Sequence, residues 1–278
     1  MGGRIMGNVL EESLFSKQPK QFENISALSK SFAANYCGTT TIRDSIFGIV
    51  ENYARKRELP LEILRYPFKD DELWAFTFVK KGTIFLCVNS GLALCKQIFA
   101  VGHELYHIHY YAEDIDPETI ASGSLLDSKT VDGMAVSQED LEANAFAGLL
   151  LMPDSILDEQ IKLYGITGDK ISVDDVLVLM ELFALPYKAV VLRLVENHNI
   201  SNTKANELLS CNSSFISERI MLTGKALGWQ QNSKDFPYLG SLLDNMEYNK
   251  KQELLTESRE NAEFAYIDKL RKGFLYEG

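Results

Sequence analysis

The stretch Phe99-Ala100-Val101-Gly102-His103-Glu104-Leu105-Tyr106-His107 constrains this chain more than any other, because it sets an HExxH motif inside a helical repeat. Leu94, Ile98, Val101, Leu105 and Ile108 recur at steps of three and four, so they form one apolar stripe that faces a core. His103 and His107 share a different face. Residues four apart stand one turn above each other, so two imidazoles can close on one Zn²⁺ while Glu104 reaches a water beside it. The pattern makes His103 and His107 candidate ligands and Glu104 a candidate general base for metal-assisted hydrolysis.

A catalytic zinc needs a third protein ligand and an open position, and a carboxylate from a second helix is one standard solution. Ser137 and Asp140 form a capping box that opens a helix running to Leu151 and closed by Pro153. On that helix Glu142 is the candidate third ligand, whereas Glu139 and Asp140 read as first-turn acids favoured by the helix dipole. The alternative HExxHxxGxxH pattern fails, since Tyr110 stands where Gly is needed and Glu113 where a third His belongs. His109 is two residues past His107 and therefore well round the helix, in an exposed orientation. Tyr106, His109, Tyr110, Tyr111 and Asn144 are the nearby polar groups from which an oxyanion donor, or a partner behind a ligand, would be drawn.

The flanking sequence supplies a small sheet. Leu61 to Tyr66 is a short strand, and Trp74, Phe76 and Phe78 alternate with Ala75, Thr77 and Val79 in a second. Lys81-Gly82 is a tight turn into a third strand, Thr83 to Val88, giving an antiparallel arrangement. Asn89-Ser90 is placed to cap the motif helix. An extended substrate could then add to the edge of the Thr83–Val88 strand. Upstream, Thr41 and Asp44 predict a helix over 42–57, with Ile42, Ile46, Ile49, Val50 and Tyr53 as its apolar stripe. Its basic end, Arg55-Lys56-Arg57, answers the helix dipole and is too short a run for a nucleic-acid footprint. Tyr110 to Val136 reads as a loop with little period. Between 110 and 142 nine acids stand against one base, Lys129, so the mouth of the site is expected to be negative.

Whole-chain properties bound the function. A formal charge of −11 argues against binding nucleic acid through a broad basic surface and favours a basic partner. The longest apolar run, Phe146 to Met152, is too short for a bilayer. Met1 to Met6 lacks the apolar stretch of a signal peptide, and Cys37, Cys87, Cys95 and Cys211 are scattered, so the expected compartment is the cytoplasm with reduced thiols.

Phe99 to His107, followed by Glu142-Ala143-Asn144-Ala145-Phe146-Ala147 and Leu150-Leu151-Met152-Pro153, resembles the ImmA/IrrE family of metallopeptidases. The resemblance implies an α+β, mostly helical zincin-like core with a small three-stranded antiparallel sheet. It also implies Zn²⁺ on His103, His107 and Glu142, with Glu104 as catalytic base. Family members are bacterial or phage regulators that cut helix-turn-helix repressors or act beside them, which makes such a repressor the expected protein substrate. This chain departs from the family pattern at Tyr106, where Gly usually precedes the second histidine.

The organisation expected is an N-terminal extension over 1–40, carrying little function, and a zincin-like domain over 41–199. The latter includes a helix-turn-helix-like pair over 173–197, whose second helix is too apolar and too poor in basic residues for DNA. A C-terminal helical region over 200–278 follows, with a polar stretch over 202–214, a helix around 215–227 and one long helical region over 241–272. Tyr248, Leu255, Phe264, Ile267 and Leu270 are its expected packing residues. A second class of function shares these motifs: a non-catalytic regulatory or toxin–antitoxin-type binding protein that keeps the zinc-site fold.

Overall fold

The structure, a computed structural model, describes residues 9–114, 124–127, 137–225, 227–230, 232 and 237–276. Two short helices, α1 (Val9–Glu12) and α2 (Leu14–Lys17), lead into α3 (Pro19–Tyr36). Then come α4 (Ile46–Lys56), β1 (Leu61–Tyr66), β2 (Leu73–Lys80), β3 (Thr83–Asn89), the motif helix α5 (Leu94–Asp114) and β4 (Ser124–Asp127). They are followed by α6 (Gln138–Leu151), α7 (Asp154–Leu163), α8 (Val173–Phe183) and α9 (Tyr187–Glu196). The remainder is α10 (Asn202–Leu209), α11 (Ser213–Thr223), α12 (Leu227–Gln230), β5 (Tyr238–Leu239), α13 (Leu242–Lys251) and α14 (Glu257–Tyr276). The class is α+β and mostly helical, as expected.

The sheet departs from the expected three antiparallel strands. Its order is β4-β2-β3-β1-β5, and β1 runs parallel to β3, with Leu61 opposite Ile84 and Tyr66 opposite Asn89. The β2–β3 hairpin is as read: Lys81 and Gly82 have φ of 51° and 76°, the paired left-handed turn that matches strand twist. Because β3 is flanked on both sides, it has no edge for a substrate strand to join, and the Thr83–Val88 proposal is overturned by topology. The outer strands are β4, antiparallel to β2, and the two-residue β5, antiparallel to β1.

Other boundaries moved for local reasons. Asn89 does not cap α5, which begins at Leu94; its amide instead fastens the turn, accepting from Phe68 N and Gly91 N and donating to the carbonyls of Asp70 and Leu73. A 3₁₀ turn, Arg43–Ser45, replaces the first turn expected before α4. The supposed loop over 110–136 holds the end of α5 and all of β4. Polar 202–214 folds as α10 with the start of α11, and the long C-terminal region breaks between α13 and α14, where Glu253 takes φ 54°. Ile267 is buried as expected, Tyr248 is exposed, and the side chain of Leu270 lies outside the described residues. Among the described residues no helix is long and apolar enough to cross a membrane.

Two helices dominate the core. α5 packs along α6, and a Cβ placed on Gly102 would lie 3.2 Å from both Ala147 Cβ and Leu151 Cδ1, so a side chain there would push the helices apart. α3, from the segment expected to be peripheral, buries Phe22, Ile25 and Phe32 and packs on the other side of α6. Behind α6, the buried Arg193 of α9 pairs with Asp154 and, at 2.7 Å, with Glu196, and donates twice to the Met152 carbonyl. It thereby satisfies a helix C-terminus that apolar neighbours would leave unpaired. Burial pushes the Glu196 carboxyl up, against the pull of Arg193. Gly148 makes room for this side chain, since a Cβ there would sit 3.0 Å from Arg193 Cδ.

Arg193→Ala should therefore destabilise the fold by about 3–5 kcal/mol, because it strands buried Glu196 and the Met152 carbonyl. The Arg193→Met, Glu196→Leu double variant should recover much of that loss. Urea unfolding followed by circular dichroism measures both, and a double variant no more stable than Arg193→Ala would count against the buried-charge explanation.

Candidate metal centre

The close approach of α5 and α6 brings three donor atoms together. His103 Nε2 and His107 Nε2 lie 3.2 Å apart, as one turn of helix dictates. Asp140 Oδ1, on the first turn of α6, is 3.7 Å from the first and 3.6 Å from the second. A tetrahedral ion with ligands at about 2.0–2.1 Å has donor–donor edges of roughly 3.3 Å, so this triangle has the size of one face of such a site. Among the described residues these three form the one group whose geometry suits a metal ion.

The surroundings orient each donor. His103 Nδ1 is 2.9 Å from Asn144 Oδ1, a bond that orients the ring with Nε2 toward the shared point. Asn144, named from sequence as a candidate polar group, is bonded to His103. Asp140 Oδ2 accepts from Ser137 Oγ at 2.7 Å and from Ser137 N at 3.3 Å, closing the capping box. The box thus fixes the rotamer that turns Oδ1 toward the imidazoles. Burial opposes ionisation of Asp140, but hydrogen bonds involving His103, His107 and Ser137 prevail and hold its carboxyl well below the usual carboxylate range.

Glu142 is corrected as the third member. Its side chain leaves α6 on another face, and both oxygens are engaged elsewhere: Oε2 accepts from Tyr106 at 2.6 Å, and Oε1 from Gln138 at 2.7 Å and Gln21 at 3.0 Å. At about 100° per residue, Asp140 and Asn144 share a face and Glu142 falls well away from it. Tyr106 is buried, packing on Phe146 with ring centroids 5.6 Å apart. Burial first, then the Glu142 hydrogen bond and charge, push its phenol far up. The ring that departs from the family pattern therefore caps a buried carboxylate.

Glu104 is fully buried, and its Oε2 accepts from Thr77 Oγ1 of β2 at 2.7 Å. This bond fixes the carboxylate against the sheet, next in sequence to His103. His109 is buried too, against expectation: it meets Tyr53 through a 3.0 Å bond and packs edge-on to Phe32. Tyr110 is 45% exposed and stacks on Tyr106, while the side chain of Tyr111 lies outside the described residues. So do the loop residues Asp116, Glu118, Lys129 and Asp132.

Sequence reasoning missed Asp140, Thr77 and Gln21. Asp140 was legible in one respect: it stands four residues before Asn144, so any reading that turned Asn144 to His103 would have turned Asp140 to the same place. Thr77 and Gln21 carry no local signal, since both reach the site across long-range packing.

The model of the Peptidase M78 family, described as the IrrE N-terminal-like domain, matches residues 57–195, half the chain, from the end of α4 to the end of α9. A search of the curated proteins returned no match.

Asp140→Asn should lower Zn²⁺ affinity by about 100-fold or more, whereas Glu142→Gln should lower it by less than about tenfold, as losses of a ligand and of a more distant group do. Competition titration against a chromophoric chelator gives both numbers. The reverse order would restore Glu142 as the ligand.

Proposed function

The chain belongs to the Peptidase M78, IrrE N-terminal-like family, and on that footing we propose that it is a zinc endopeptidase acting on a regulatory protein. The observation that carries the proposal is the triangle of His103, His107 and Asp140, with Glu104, next to His103 in sequence, held by Thr77. A bare pair of histidines on a helix would need neither a converging carboxylate nor a tethered acid. His103, His107 and Asp140 would hold the ion, whose chemistry is Lewis acidity toward a carbonyl and the lowering of a water's pKa toward neutrality.

The chain's own groups do the rest. Glu104 takes the proton of the attacking water and returns it to the leaving amine. Thr77 keeps the carboxylate from rotating away, and burial of His103 and His107 limits access of bulk water. Asn144 and Ser137 fix His103 and Asp140 before substrate arrives, which spares reorganisation during the reaction.

The substrate proposed is a basic helix-turn-helix repressor cut in an extended segment. Acids flank the site in sequence, nine against one base over 110–142, and an excess of negative charge attracts a basic protein while repelling nucleic acid. Strand β4, at the sheet margin next to the Glu104-bearing side, offers an edge on which an extended segment can pair.

Two outcomes are expected. Glu104→Gln keeps full metal content by elemental analysis but loses hydrolysis by at least about 100-fold, the scale of general-base removal. With Zn²⁺ and a basic repressor encoded beside it, the wild-type chain yields discrete fragments by mass spectrometry, more slowly as salt rises. Tight binding without fragments, in metal-loaded protein, would replace the peptidase by a binding regulator.

A further inference from the structure

The first turn of α6 carries Asp140 and is the part of that helix least held by its own backbone bonds, because the opening N–H groups of a helix have no partner within it. Ser137 Oγ, 3.1 Å from Asp140 N, satisfies one of them from outside. Gln138 and Asp140 leave the turn in nearly opposite directions, since two residues rotate a helix by about 200°. Asp140 points to the imidazoles of α5, and Gln138 points to α3. The turn that bears the acidic donor is thus gripped from both sides.

The grip on the α3 side is a chain of carboxamides. Gln138 Oε1 accepts from Gln18 Nε2 at 2.5 Å, and Gln138 Nε2 donates to Gln18 Oε1 at 3.2 Å and to Glu142 Oε1 at 2.7 Å. Gln21, one turn into α3, donates to the same Glu142 oxygen at 3.0 Å and accepts from Asn24. Glu142 carries the connection on to α5, where Tyr106, the residue before His107, donates to its other oxygen. Gln18 itself stands at a joint. It ends α2 and precedes α3 with φ −143° and ψ 70°, and its side chain makes no capping bond to α3. Ser, Thr or Asp at this place would cap the helix; the longer glutamine gives its amide to α6 instead. Both members of the amide pair are exposed, so their effect falls on the turn they hold and little on the stability of the whole fold.

We propose that Gln138 is a positioning residue for Asp140, and that through it the docking of the α2–α3 joint on α6 sets how well the donor triangle is formed. The proposal rests on the reading of His103, His107 and Asp140 as metal ligands. With the joint detached, the first turn of α6 keeps its Ser137 cap but loses the outer hold, and Asp140 spends part of its time away from the imidazoles. Such coupling is reciprocal, so loading the site holds the joint more firmly in turn.

The test uses the full chain and Zn²⁺ alone. By chelator competition, Gln138→Ala and Gln18→Ala should each weaken Zn²⁺ binding roughly fivefold or more, the scale of a lost hydrogen-bonded pair, while the thermal midpoint of the metal-free chain stays unchanged. The Gln18→Ala, Gln138→Ala double variant should bind no more weakly than Gln138→Ala, because the two amides act as one pair. Gln252→Ala, exposed and far along the chain, should bind as the wild type does. The second readout is hydrogen exchange by mass spectrometry: Zn²⁺ should slow exchange over residues 14–22 in the wild type and not in Gln138→Ala. Wild-type affinity in both single variants, or exchange over 14–22 indifferent to Zn²⁺ in the wild type, would overturn the coupling while leaving the metal centre in place. Affinity unchanged in Asp140→Asn would overturn the metal centre and this proposal with it.

Discussion

The contact on which the site depends is the one between α5 and α6 at Gly102. A helix pair with ordinary side chains at the crossing stands 8–10 Å apart, and a glycine facing an alanine brings the axes toward the lower end of that range. Here Gly102 faces Ala147, with Leu151 one turn along. That closeness is what lets a side chain as short as aspartate span from α6 to two imidazoles on α5. A longer acid would reach across a wider gap, but with more rotamers to restrain.

Asp140 shows how one residue can meet two demands without conflict. A capping carboxylate and a metal-type donor both need an ionised acid of fixed orientation, and a carboxylate has two oxygens. Oδ2 closes the helix start through Ser137, and Oδ1 is thereby aimed at His103 and His107. Glu142, two residues on, performs the complementary task of anchoring: it gathers Tyr106 of α5, Gln21 of α3 and Gln138 of its own helix. Three donors around one buried carboxylate tie α3 and α5 to α6, so the N-terminal segment is part of the scaffold that fixes the site.

What the sequence disclosed followed from period and local chemistry. The stripe on α5, the Lys81-Gly82 hairpin turn and the capping boxes of α6 and α8 are all local, and all formed. The choice between Asp140 and Glu142 was not legible, because α6 is buried on nearly every face. Leu141, Ala143, Ala145, Phe146 and Leu149 are all in the core, so hydrophobicity did not say which side held the histidines. The parallel pairing of β1 with β3 was hidden for another reason: strand order depends on contacts across the intervening β2, and no dipeptide records it. His109 was misplaced because the helical step gives its angle from His107 but not that α3 and α4 cover that side with Phe32 and Tyr53.

Sheet order also decides where backbone remains to bind another chain. β3 and β1 are flanked on both sides, and β2 is shielded by β4, so the described sheet offers edges at β4 and at the two-residue β5. The β5 edge lies beyond β1, four strands from β4. The β4 edge is next to β2, where Ser124 pairs with Thr77, the residue that holds Glu104. Adjacent strands are about 4.8 Å apart, so this edge begins within one strand spacing of the Glu104 tether. In sequence β4 also falls inside the acidic 110–142 stretch. Free backbone donors and acceptors of β4 therefore lie next to the strand that carries the Thr77 tether of Glu104. An extended segment of the proposed substrate would find backbone hydrogen-bond partners at such an edge, whereas a folded domain would not.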